Sequence, residues 1–358
     1  MALGRRSGGG GWIRISEAVA WVAAGALLLA GCSSGNSGGG SGGGFGGLSG
    51  GGAGGVPTTI AQALAQLPAT SWDTDYAEFG DVKQLVALDG GEKANGPLLA
   101  YVGLGESSFA AQTSLSDSPL GFDPLAVTAA AAVGNEPHQI TVDYNDFDAS
   151  AVGSKLSKEG FKQHGTADGG DLWSIGGDDE ANVDNPTGLP NLNVLLVSSS
   201  RITLGGSSAD VKAIAGPVST PLSGGAMGAV ADCLGPALAA MIGPRTGGTA
   251  NASLLGIGLL APSAADASEE LCVQVPSAAQ AAAMAATWKT QIGTGLSERI
   301  KAPWSTLLTD PQATVLSPVN GVTTVRLTAK PASGAHLGAL LQTYFSASSD
   351  MDGLLGQS

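Results

Sequence analysis

The side chains able to do chemistry are few and scattered. The chain has three histidines, His138, His164 and His336. Zinc sites draw their ligands from short-spaced pairs, and none of the three has a neighbour at such spacing, so they read as separate surface residues. The same scarcity argues against a Ser-His-Asp set, which needs one histidine held between a carboxylate and a nucleophile. Acidic groups cluster twice. Asp143, Asn145, Asp146 and Asp148 fall where a strand becomes a helix, and Asp178, Asp179, Glu180 and Asp184 fall in a Gly/Asn/Pro-rich loop. Oxygen ligands on a turn suit Ca2+. The first cluster fails the EF-hand spacing, with Phe147 at the fifth position and no glycine at the sixth. Helix capping accounts for Asp146 and Asp148, and a solvated loop for the second cluster.

Glycine patterns are equally unproductive. G-x-S-x-G occurs around Ser41 and Ser49, inside a Gly/Ser tract that supplies neither the strand nor the helix a nucleophile elbow needs. Gly256-x-Gly258-x-x-Ala261 imitates a dinucleotide fingerprint but lies within an apolar run. Asn251-Ala252-Ser253 matches a glycosylation sequon, which carries little weight in a bacterial chain. Trp288 falls at a helical core position and Trp173 on a strand, while Trp72 and Trp304 follow loop-like segments where they could line a groove. No catalytic residue, metal ligand or cofactor is nominated, and the chain is expected not to be an enzyme.

The N-terminus is more informative. Arg5, Arg6 and Arg14 precede the apolar stretch Ala18 to Leu29, too short to span a membrane comfortably. Leu29, Ala30, Gly31 and Cys32 follow in order. Here the chain resembles the bacterial lipoproteins, whose lipobox ends in a cysteine that is acylated after cleavage. The resemblance covers only the first tenth of the chain and implies that residues 1–31 are removed and that Cys32 carries the lipid. Two or more acyl chains give durable membrane attachment. Residues 32–56 are then the acylated cysteine and a flexible tether of nearly pure Gly and Ser, spanning roughly 25–30 Å. The Ala- and Gly-rich, aromatic-poor composition is actinobacterial in style.

With Cys32 assigned to lipid, Cys233 and Cys272 remain, and outside the cytoplasm two spare thiols are expected to form a disulfide. The whole chain carries 16 basic and 30 acidic residues, net −14. Removing the signal, with its three arginines and one glutamate, leaves 13 against 29, or −16. So acidic a protein is a poor partner for nucleic acid or for anionic headgroups.

The remaining 300 or so residues alternate short strands and amphipathic helices. Helices are expected over Asp81 to Leu88, from Asp123-Pro124 to Ala132, from Asp148 to about Gln163, and from Ser208 to Ala215. Strands are expected at Leu98 to Leu104, Gln139 to Tyr144, Leu172 to Ile175, Asn193 to Val197 and Arg201 to Leu204. Beyond Pro217 to Gly225 the order recurs. A helix runs from Ala226 to Ile242, interrupted near Gly235-Pro236, and strands follow at Leu254 to Leu260 and Glu270 to Val275. A helix opens at Pro276-Ser277, a hairpin turns at Asn320-Gly321, and a last helix spans Ala335 to Phe345. The fold class expected is α+β, in two similar halves, 57–220 and 221–358, each an antiparallel sheet with helices packed on one face. The function expected is non-catalytic binding of a lipid or envelope component in a cleft between the halves. The alternatives are an interaction ectodomain for an envelope protein partner, or a hydrolase with unidentified residues.

Overall fold

Side-chain oxygens open most of the longer helices. Thr59, Asp81, Asp148, Ser207 and Ser277 each accept a hydrogen bond from the backbone N–H three residues on, and so start α1 (Ile60–Ala65), α2 (Val82–Leu88), α4 (Ala149–Lys158), α5 (Ser208–Ala215) and α7 (Ala278–Thr294). The remaining helices are α3 (Leu99–Val102), α6 (Gly225–Leu234), α8 (Ala339–Ser346) and α9 (Ser348–Leu354). The computed structural model describes residues 55–70, 75–91, 96–106, 118–135, 138–180, 189, 192–244, 254–346 and 348–356. All belong to one compact unit, Gly52–Ser358. Cys32, the glycine tether with Ser41 and Ser49, Trp72, Asp184 and the sequon at 251–253 lie outside the described residues.

The strands are β1 (Ala77–Gly80), β2 (Ala129–Val133), β3 (Ile140–Tyr144), β4 (Lys162–Ala167), β5 (Gly170–Ser174), β6 (Val194–Val197), β7 (Arg201–Gly205), β8 (Ala239–Pro244), β9 (Leu254–Leu260) and β10 (Ser268–Val275). A short pair, β11 (Leu296–Ser297) and β12 (Ala302–Pro303), stands apart, and β13 (Leu308–Val315) and β14 (Thr323–Pro331) complete the set. Twelve strands form one sheet in the order β13-β14-β10-β9-β8-β1-β2-β3-β7-β6-β5-β4. Every pairing is antiparallel. The α+β class is observed, but not as two sheets each covered on one face. The sheet is continuous through β1 and β8, which pair Ala77 with Ile242 and Gly80 with Ala239.

Both faces are covered, and β10 displays this within consecutive residues. Leu271 and Val273 pack in one core with α3, α7, α8 and α9, whereas Cys272 between them packs in another with α1, α5 and α6. Alternate side chains of a strand point to opposite faces, so helices lie on each. A third core beneath α4 joins Val152 and Leu156 to Leu195, Ile202 and Leu204.

Three segments depart from expectation. Leu98 to Leu104 is not a strand but the turn of helix α3 with its flanks. After a single 3-10 turn at Pro124–Ala126 the alanine run forms β2, and the interrupted helix from Ala226 ends at Leu234, its remainder becoming β8. Alanine favours helix when the chain is free to choose. Buried between two strands, its small side chain instead lets other segments approach the sheet closely.

The sheet's edges are blunted. β4 is exposed along nearly its whole length, but Lys162 and His164 stand on it, and its pairing with β5 shifts register between Gln163 and Thr166. On β13 the register shifts between Thr309 and Gln312, around Asp310 and Pro311. Charges, bulges and proline are the usual means of keeping an edge from recruiting another strand. Before β14, Asn320 and Gly321 both have positive φ, 52° and 78°. Replacing Asn320 with a residue averse to that conformation, Asn320→Val, should cost about 1–2 kcal/mol in chemical denaturation, while Asn320→Gly should be nearly neutral.

Candidate functional site

The least ordinary chemistry lies on the central strands. On one face of the sheet Gly80 and Ala130 leave a depression, and the turn at residues 103–106 drops into it. Gly105, with φ of 93°, approaches so closely that a Cβ there would collide with the Ala130 carbonyl. The turn delivers Glu106 to Asp143 of β3. Both side chains are fully buried, and among the described residues no other group hydrogen-bonds either carboxyl. Gly105 sits on the Ala130 backbone and Ala130 is the cross-strand partner of Asp143, so the turn brings the two carboxyls side by side. Burial, then the neighbouring Asp143 and Glu78 and the more distant Asp123, hold Glu106 well above the usual carboxylate range. Burial also pushes Asp143 up to about 8, against a downward pull from its contact with Glu106. Glu78 on β1 completes the acidic group. It accepts hydrogen bonds from the Tyr76 hydroxyl and from the Gly105 amide, the latter at 3.0 Å. Two carboxyls confined without solvent can hold one proton between them, but with zero exposure they offer a substrate no approach.

The cysteines meet as expected. Cys233 of α6 and Cys272 of β10 are joined as a disulfide with Cα atoms 5.9 Å apart. The glycine pattern on β9 explains the close fit. A Cβ on Gly256 would lie 2.7 Å from Leu234 Cδ1 and 2.8 Å from Val230 Cγ1, so glycine lets α6 lie against the sheet beside Cys272. Gly256-x-Gly258-x-x-Ala261 is thus a packing feature inside a buried strand. Next to it Glu270 is fully buried, 3.7 Å from the Arg326 guanidinium, which spends its donors on the Cys233 carbonyl. Burial pushes Glu270 up to about 8, with Arg326 pulling the other way. On the opposite face Glu269 accepts from the amides of Gly338, Ala339 and Leu340 at 2.7, 3.0 and 2.7 Å and so anchors the start of α8. Burial raises its carboxyl nonetheless, and the three amides offset part of that rise.

The residues singled out by type fare differently. Asp143 is not a turn ligand; it is sealed in the sheet. Asp148 caps α4 as expected, and Asn145 accepts from the Thr128 hydroxyl. In the described start of the second acidic loop, Asp178 accepts from the Ser208 amide and hydroxyl, and Glu180 from the Gly177 amide. His138 Nδ1 lies 2.8 Å from Asp210 Oδ2, His164 stands on edge strand β4, and His336 precedes α8. Among the described residues no three His, Cys, Asp or Glu side chains are grouped to hold a metal. Trp304 lines no groove; it is buried in the core with Trp288.

Two shallow, open hollows of about 600 and 520 Å³ adjoin each other on the surface. They share Ala149 and Asp171 and follow the side of α4 along β5, with Ser150, Ser154, Lys158 and Trp173 on the walls of one and Asp168 and Ser198 on the other. Trp173 is braced from below: a Cβ on Gly153 would come within 2.8 Å of its ring. The Glu106–Asp143 pair was not legible in the chain as local pattern, because it joins segments far apart in sequence. Among the described residues no helix is long and apolar enough to cross a membrane. Compared with protein-family models, with curated proteins and with solved structures, the chain has no significant match.

Proposed function

We propose that this chain is a lipid-anchored extracytoplasmic protein that binds a partner of the cell envelope through its surface and catalyses no reaction. The anchor rests on Leu29-Ala30-Gly31-Cys32 and the tether that follows, in the style of an actinobacterial lipoprotein. The Cys233–Cys272 bond fits an oxidising compartment. The observation that carries the binding reading is how the polar chemistry is divided. The carboxyls in unusual environments, Glu106, Asp143, Glu269 and Glu270, are all sealed from solvent, whereas the concave surface beside α4 is open and mixed in character. The open grooves, with walls of mixed polar and apolar character, suit a protein surface, so an interaction ectodomain is favoured over a lipid carrier.

The connectivity also supports two similar halves derived by duplication. In each, a helix on one face leads to a central strand (α1 to β1, α6 to β8). Two further strands and a helix on the other face follow (β2, β3, α4 and β9, β10, α7). The last hairpin strand then returns to pair with the third strand (β7 with β3, β14 with β10). Among the described residues, α2 and α3 between β1 and β2 and the β4–β5 hairpin are additions to the first.

Two measurements test the function. Cys32→Ala should shift the protein from the membrane pellet to the soluble fraction and abolish the acyl mass at the N-terminus; an unmodified N-terminus upstream of Cys32 in the wild type would overturn the anchor. Native mass spectrometry of gently extracted protein should show a stoichiometric protein partner, lost in the folded groove-filling variant Ser154→Trp. Co-purifying lipid with no protein partner would instead restore the carrier.

A further inference from the structure

The turn at residues 103–106 is held on the sheet by groups whose ionisation opposes its being there. Leu104 and Glu106 close the turn through backbone bonds to Tyr101 and Gly103, and the Gly105 amide reaches Glu78. Its deepest member, Glu106, meets Asp143 with no donor to satisfy either carboxyl beyond a proton between them. The charged groups acting on the pair come from every side and are all carboxyls: Glu78 from β1, Asp123 from the turn before β2, and the pair's own members from the 103–106 turn and β3. Tyr76 donates to Glu78 and adds no positive charge. A fully protonated pair is uncharged in a dry site. Each proton it loses places a negative charge beside Glu78, where water cannot screen it.

We propose that Glu106 and Asp143 form a proton-operated latch: while both are protonated the 103–106 turn stays seated on β1 and β2, and ionisation of the pair lifts the turn into solvent without unfolding the sheet. The mobile part is the short turn, because β3 is fixed between β2 and β7, whereas Glu106 stands on a segment that contributes no strand to the sheet. Lifting it would uncover Gly80, Ala130 and Asp143, a patch of sheet otherwise hidden. The latch concerns a different surface from the α4 groove and stands whether or not that groove binds a partner.

Hydrogen–deuterium exchange of the full chain between pH 6 and 9.5, corrected for the intrinsic base dependence of amide exchange, tests this. Protection of amides 103–106 should fall about tenfold per pH unit once the pair begins to lose its proton, while residues 271–275 and 323–329 in β10 and β14 stay protected. Glu106→Gln should make protection of the turn independent of pH. Asp143→Asn provides the same test from the strand should the first variant not fold. Wild-type protection that stays flat over this range overturns the latch. So does loss of protection in step with β10 and β14, or an unchanged slope in the amide variants.

Discussion

Replacing Cys233 and Cys272 together by alanine is expected to lower the free energy of unfolding by about 4 kcal/mol, on the chain-entropy argument for a loop of this length. The bridge closes a separation of 39 residues, and both sulfurs are buried in the core shared by α1, α5 and α6. Denaturant unfolding of wild type and double variant, with and without reductant, measures the loss. Reductant should bring the wild type down to the variant and leave the variant unchanged. A double variant as stable as the oxidised protein would mean that packing of α6 alone holds that face.

The second large effect depends on pH. Asp143 is held at about 8 against 3.8 for an unperturbed aspartate, so the folded protein keeps a proton that the unfolded chain releases. A carboxyl raised in this way destabilises the fold. The penalty is absent below about pH 4 and grows as pH climbs toward 8. Asp143→Asn keeps the shape, can donate to Glu106 and has no proton to lose at that position. It should match wild type near pH 4 and be clearly the more stable of the two at pH 8.5. Wild-type stability that does not decline between pH 5 and 8.5 would show that the pair is better solvated than its burial implies.

Much of this architecture follows from local pattern. Alternation in Gln139 to Tyr144 and Glu270 to Val275, the caps at Asp148 and Ser277, and the Asn320-Gly321 turn all lie where their residue types direct. What failed has a common physical origin. Ala129–Val133 and Ala239–Pro244 are central strands made of small residues, so they lack the β-branched signature of a strand and carry a helical one. Their smallness answers a demand set elsewhere, by the 103–106 turn above Ala130 and, on the neighbouring β9, by the α6 side chains above Gly256. Asp143 lies on the strand expected at Gln139 to Tyr144, but its burial had no local signal: its neighbour Glu106 stands thirty-seven positions earlier. The disulfide was legible because cysteines are few and pairing is a long-range rule that needs no geometry to state.

The seam between β1 and β8 is only four residue pairs long, yet it lies at the middle of the sheet. Punctuation at Pro217 to Gly225 invites a cut there, but hydrogen bonding forbids it: either piece made alone would bare a raw rim of Ala, Glu, Phe and Gly or of Ala, Met and Ile. The four positions paired across the seam include none of the lysine, bulge or proline found at the outer margins. Each portion therefore serves as the other's chaperone, and nicking the connection would yield halves that cling to each other rather than drift apart.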